Sequence, residues 1–163
     1  MIIHLCRVIA LAIVIMPGPA LAAPYEEDST PLHPSYIAAK AAIEQKRYAE
    51  ALPLLQQALA LNRGDANTYN LLGFVYRKTG NLDAAFRYYD MALRLNPDHR
   101  GAHEYIGEAY LMVNNLAKAE EHLRALDRLC MLPCEEYIDL QKAVETYKAG
   151  GEREDALNRR RQR

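Results

Sequence analysis

The sequence predicts an all-α solenoid, three stacked helix hairpins closed by a C-terminal capping helix. Three observations carry this. First, residues recur with a step of 34: Ala51, Ala85 and Ala119; Ala39, Gly73 and Gly107; Ala42, Tyr76 and Tyr110. A fixed step of that size marks one supersecondary unit repeated along the chain. Second, each copy holds two stretches with apolar residues at i, i+3, i+4 and i+7, the spacing of one buried helix face. Third, Gly80 and Asn114 stand where a helix end wants a left-handed residue, and Pro97 follows a helix that must stop before it.

Composition sets the outer limits. The chain has 163 residues, room for one modest domain or a few small repeats. Lys and Arg number 20 against 21 Asp and Glu, a formal net charge of −1, so nothing sequence-wide argues for nucleic-acid binding. A mean hydropathy of −0.27 excludes a multi-span membrane protein.

In chain order, residues 1–22 read as a secretory signal peptide. Arg7 is its only charge, an apolar run covers 8–16, and Pro17-Gly18-Pro19 breaks the run. Ala20-Leu21-Ala22 then supplies the small residues a signal peptidase admits, which puts the cut between Ala22 and Ala23. The run is shorter than the roughly 20 residues of a spanning helix. The expected product is exported to the periplasm, or secreted, and is not held at a membrane after cleavage. A linker at 23–31 carries Glu26, Glu27 and Asp28. The three copies occupy 32–65, 66–99 and 100–133. One hairpin cannot bury its apolar face alone, but stacking three makes a continuous core. A capping helix is expected over 134–150, with Glu135 and Glu136 in its first turn, Lys148 in its last, and a stripe of Tyr137, Leu140, Val144 and Tyr147. Gly150-Gly151 is read as its stop. Residues 151–163, ending Arg159-Arg160-Arg161-Gln162-Arg163, are read as a charged flexible tail, either frayed helix or disorder.

The middle copy reads Tyr69-x2-Leu72-Gly73-x2-Tyr76, then Ala85-x3-Tyr89-x2-Ala92, then Pro97. This resembles the tetratricopeptide repeat (TPR) family, whose aromatic, Leu-Gly, Tyr, Ala, aromatic, Ala and Pro stand at those offsets. The third copy keeps Ile106-Gly107, Tyr110 and Ala119 but has His103 and Leu123 at the aromatic offsets and no closing Pro. The first keeps Ala39, Ala42, Ala51, Leu55 and Ala58. The resemblance implies a right-handed superhelix with the first helix of each hairpin on its concave side. Since the pattern consists of packing residues, it speaks to fold more than to function.

The resemblance also assigns groove-facing positions: His33, Tyr36, Lys40 and Ile43; Asn67, Asn70, Phe74 and Arg77; Gly101, Glu104, Glu108 and Leu111. Phe74 adjoins the Gly73 packing site and is expected to anchor an extended peptide, with Asn67, Asn70 and Lys40 as polar contacts. Arg77 is expected at the rim. Lys40, Arg77 and Lys78 toward one end and Glu104 and Glu108 toward the other would polarise the groove. Some TPR domains grip a C-terminal carboxylate through Lys and Asn. Here those offsets hold Tyr36, Lys40, Leu71, Gly101 and Tyr105, and only Lys40 is basic.

Cys130-Met131-Leu132-Pro133-Cys134 lies between the last copy and the cap. In an oxidising compartment a structural disulfide between Cys130 and Cys134 is the adopted reading. A soft-metal site with Met131 and redox-active thiols are its alternatives. The stretch Cys130-x3-Cys134-Glu135-Glu136-Tyr137-x-Asp139-Leu140 resembles the C-terminal end of small exported bacterial TPR proteins. His99 and His103 have the spacing of a helical metal pair, but they are read as one surface and one packed histidine, with no metal. No nucleophile elbow and no Gly-rich phosphate loop stands out. The expectation is therefore a non-catalytic interaction module without cofactor, partnered by another exported protein or peptide. The alternatives are a self-associating assembly subunit that uses an exposed Tyr88 and the terminal hairpin, and a metal- or redox-linked accessory protein that uses Cys130 and Cys134.

Overall fold

The computed structural model describes residues 33–161, with side chains to residue 151. The proposed signal peptide (1–22), its cleavage site and the linker (23–31) lie outside the described residues. Among those described there are seven helices and no strand: α1 (Pro34–Glu44), α2 (Tyr48–Leu61), α3 (Ala66–Lys78), α4 (Leu82–Leu95), α5 (Arg100–Met112), α6 (Leu116–Leu129) and α7 (Glu135–Arg161).

The same local devices recur at each step of 34. Gly80 takes φ 85°, and Asn114 and Lys46, at the matching positions, take φ 58°. Each sits in a hairpin corner closed by a long backbone bond: Arg47 N–H to Ala42 C=O, Asn81 to Tyr76, and Asn115 to Tyr110, at 2.8–2.9 Å. These bonds satisfy carbonyls that a helix end leaves orphaned. Helix starts are capped by side chains. Asp65 accepts from Asn67 and Thr68, Asn81 from Ala84, His99 from Ala102, and Asn115 from Lys118. A good cap is worth about 1 kcal/mol. His99 is thus a half-buried cap residue with its ring engaged, not the surface histidine that the sequence suggested.

Ala51, Ala85 and Ala119 are fully buried, as crossing points require. Two glycines mark the closest approaches. A Cβ on Gly73 would stand 2.5 Å from the Tyr89 ring of the same repeat. A Cβ on Gly107 would stand 2.6 Å from the Leu140 side chain, which comes from α7. The third repeat is therefore closed by the capping helix, where its own second helix offers only Leu123.

α7 departs from expectation. It runs through Gly150-Gly151 and continues to Arg161, where a stop and a flexible tail were predicted. Neither glycine takes a positive φ. Each costs a helix about 1 kcal/mol relative to Ala, but no proline follows, and Glu152, Arg153, Glu154, Ala156 and Leu157 are mostly good helix formers. At the corner before α7, Cys130 and Cys134 are joined by a disulfide with Cα atoms 5.8 Å apart. It ties the end of α6 to the start of α7.

Candidate functional site

Consecutive hairpins meet mainly where the second helix of one packs on the first helix of the next, α2 on α3 and α4 on α5, and first helices also touch, α3 with α5 and α5 with the capping helix α7. The first helices form the inner row of the stack, and the groove positions lie along it. Their environments differ sharply. Lys40 and Asn67 are exposed, Phe74 and Glu108 half-buried, and Tyr36, Asn70, Arg77 and Glu104 buried. Burial pushes the Tyr36 phenol up to about 12, with the nearby Asp65 charge adding to it.

Arg77 corrects the sequence reading most plainly. It is 6% exposed, so it is no rim residue. Its Nη1 lies 2.5 Å from Glu108 Oε2, and its Nε donates to the Tyr89 hydroxyl at 3.3 Å. Its guanidinium also lies over the rings of Phe74, 5.5 Å away, and Tyr105, 5.4 Å away. A buried cation is tolerated when paired and hydrogen-bonded, and these four partners supply that. The predicted polarity of the groove also fails, because Arg77 and Glu108 form one ion pair instead of marking opposite ends.

Phe74 packs against Tyr105 at 5.0 Å and Tyr48 at 6.3 Å, and the Lys78 ammonium stands 5.2 Å from its ring centre. It therefore bridges neighbouring helices while keeping part of its surface in the groove. Asn70 is 6% exposed, and its Oδ1 has no hydrogen-bond partner. Its amide lies 3.2 Å from the position a Cβ on Gly101 would occupy, so the short Gly101 side of α5 makes room for it. Glu104, three residues further on, is 9% exposed, and its carboxyl is pushed up to about 8. Burial is the main cause, followed by the charges of Glu108, Asp139 and Glu136, with Arg77 opposing.

Sequence reasoning missed a second histidine pairing. His103 does not pair with His99. Its Nδ1 lies 2.9 Å from His122 Nδ1, and its Nε2 lies 2.9 Å from the Pro97 carbonyl. A carbonyl only accepts, so His103 Nε2 carries a proton. When His103 is neutral, His122 Nδ1 must donate to it. Burial and then His103 hold His122 down to about 4. Among the described residues no group of three metal-ligating side chains forms. Tyr88, suggested as an exposed contact for self-association, is half-buried and stacked on Tyr76 at 5.2 Å. No described helix is long and apolar enough to cross a membrane.

A stack of 34-residue hairpins with a mixed aromatic and polar inner row defines a helical-repeat protein. Family models narrow the class. A "Tetratricopeptide repeat" model matches residues 66–99 and a "TPR repeat" model matches 39–80. Residues 39–99 are thus tetratricopeptide repeats, and the chain is a TPR-type helical-repeat protein. It is 35% identical over 95 residues to "Uncharacterized protein ycf37" of Pyropia yezoensis, which covers 53% of each chain. The chain thus spans about half the length of that relative. Among solved structures it is similar to the Yersinia enterocolitica type III secretion translocator chaperone SycD, at 22% identity and TM-score 0.65, covering 84% of this chain and 97% of that one. SycD is also known in complex with a peptide of the translocator YopD, and that structure gives 20% identity and TM-score 0.61 over 72% of this chain and 92% of that one. The first TPR of Spaghetti (RPAP3), bound to the HSP90 peptide SRMEEVD, gives 16% identity and TM-score 0.61 over 69% and 89%. At these identities the structures establish the shared fold.

Proposed function

We propose that this protein is a non-catalytic interaction module that binds an extended peptide segment of another protein along its inner row, acting in the bacterial periplasm after export. The observation that carries the reading is Asn70. Its Oδ1 is buried without a partner, and leaving such an acceptor unpaired costs about 1–3 kcal/mol. A peptide backbone N–H laid along the groove would pair it once the Asn70 side chain turns outward. Phe74 offers apolar surface one turn away, and Asn67 and Lys40 offer exposed polar contacts on the same row. The peptide complexes of the SycD and Spaghetti folds support the same use of the fold. The export part rests on residues 1–22, and N-terminal sequencing of the protein from a periplasmic fraction tests it. A soluble periplasmic chain beginning at Met1 would count against it.

Peptide binding is tested with a displayed library of random dodecamers, followed by calorimetry on the selected peptides. Phe74→Ala should weaken binding by about 2 kcal/mol, roughly 30-fold. Because Phe74 also packs on Tyr48 and Tyr105, the variant must keep the helical circular dichroism of the parent before its affinity is read. A folded Phe74→Ala protein that binds as tightly as the parent would exclude the groove.

A further inference from the structure

The groove has one place where charge and hydrogen bonding do not close, and it lies where α5 faces α7. Glu104 is nine-tenths buried, yet it forms no ion pair and no hydrogen bond with any described residue. The charged groups facing it are Glu108 on its own helix, Asp139 and Glu136 from α7, and Arg77 from α3. Arg77 is already committed to Glu108 at 2.5 Å. Arg100 reaches Glu136 only at 3.8 Å from an exposed position. Glu104 is thus the carboxylate left without a cation, since Glu108 holds Arg77, Glu136 has Arg100, and Asp139 shares the rim of a cavity with Lys142. A second, independent feature points the same way. The unpaired Oδ1 of Asn70 belongs to an amide seated against Gly101, one helical turn before Glu104. Of the two buried side-chain atoms without a partner here, Asn70 Oδ1 is an acceptor and His99 Nε2 carries a hydrogen, because His99 Nδ1 accepts from Ala102; the group that lacks a cation is Glu104.

A cavity of about 600 Å³ adjoins this group. Leu111, Met112, Ala143 and Tyr147 supply its apolar lining, Thr146 and the exposed Lys142 line its rim, and Glu108 and Asp139 belong to both the cavity and the acidic group. We propose that this is a specificity pocket for a lysine or arginine side chain of the bound peptide, with Glu104 as its ion partner, Asn70 as an added acceptor, and the cavity taking an adjoining aliphatic side chain. The occupant is fixed by charge complementarity. A carboxylate would meet four others there, and a neutral side chain would leave Glu104 buried and unpaired. The inference rests on the peptide-groove reading and adds the chemistry of the ligand.

The test uses N-acetylated, C-amidated dodecamers selected on the protein, resynthesised with Arg, Lys, citrulline or Glu at one position and read by fluorescence anisotropy. Arg and Lys peptides should bind at least about tenfold more tightly than the citrulline peptide, which keeps the shape of arginine without its charge. Glu104→Gln should abolish that preference, and Glu104→Asp should restore part of it. The Arg preference should also grow as pH rises from 6 to 8.5, because Glu104 ionises near 8. Equal binding of Arg and citrulline peptides, lost in Phe74→Ala, would overturn the pocket and leave the groove standing. An Arg preference that survives in Glu104→Gln would overturn Glu104 as the partner. Failure of every peptide to bind would overturn both readings. If the protein instead forms a dimer that disappears when the chain ends at residue 151, the occupant is the Arg-rich end of a second copy, and the proposal of a partner peptide falls.

Discussion

Arg77 and Glu104 are both buried ionisable residues on the inner row, and the fold treats them in opposite ways. Arg77 is matched on every side, by the Glu108 carboxylate, the Tyr89 hydroxyl and two aromatic faces. Glu104 is surrounded by charges of its own sign. A matched buried ion holds helices in register, whereas an unmatched one is a cost the fold carries. The contrast separates a residue that belongs to the scaffold from one left open to a partner, although both look alike as charged letters on first helices of the repeat.

The largest expected effect comes from breaking the matched site. Arg77→Ala should destabilise by about 3–5 kcal/mol, because it leaves Glu108 and Tyr89 without their partner. Thermal unfolding followed by circular dichroism measures it, and a change below about 1 kcal/mol would show that the pair is dispensable. Replacing both partners together, Arg77→Met with Glu108→Leu, should be far milder, since apolar replacement of a whole buried pair is often close to neutral.

The two packing glycines extend the comparison. Gly73→Ala drives a methyl into the Tyr89 ring and disturbs the hydroxyl that Arg77 uses, so a loss of about 1–3 kcal/mol is expected. Gly107→Ala meets the flexible end of Leu140. A helix gains about 1 kcal/mol from Gly→Ala, which should offset most of that clash. If urea titrations give the two variants equal losses, the capping helix is no softer than the repeat it replaces.

Glu104 should act in the other direction. Its carboxyl is raised from an ordinary 4.5 to about 8, so between these values the folded chain holds a proton that the unfolded chain has lost. Its contribution therefore falls as pH rises from about 4.5 to about 8. Glu104→Gln should gain about 1 kcal/mol at pH 8, a few degrees in Tm, and nothing near pH 4. A variant less stable than the parent at pH 8 would show that Glu104 has a partner after all.

The smallest signal is a titration. His122 is held down to about 4, so its contribution is complete above about 6.5 and is lost as pH falls through 4. Proton NMR should place its midpoint near 4, and a midpoint near 6.5 would dissolve the His103–His122 contact. Glu104 and His122 then limit stability from opposite sides of the pH scale.

How far each feature could be read from the sequence depends on how local its cause is. The step of 34 and the left-handed corners at Gly80 and Asn114 were legible because a turn is decided by a few adjacent residues. Lys46 follows the same rule although its side chain gives no hint of it, since the corner is set by its place in the repeat. Gly150-Gly151 misled because a stop signal is only a local preference, and the residues after it favour continuation. The groove positions fall on α1, α3 and α5, but their states were not legible. Arg77 looked like a rim charge because its partner Glu108 lies one repeat later, and nothing near it in the chain marks the pair.

What the sequence determined by itself was the periodic part, helix pairs, corners and a closing helix, because apolar spacing and backbone preference act over a single turn. Only the tertiary structure decided which charges are satisfied. Arg77 and Glu108 meet because α3 and α5 stack, and Gly107 is filled by Leu140 of α7 because its own second helix offers only Leu123. Glu104 stands unpaired because the carboxylates of α7 are the ones the fold brings to it. An electrostatic environment is a sum over neighbours in space, and stacking selects those neighbours from residues far apart in the chain.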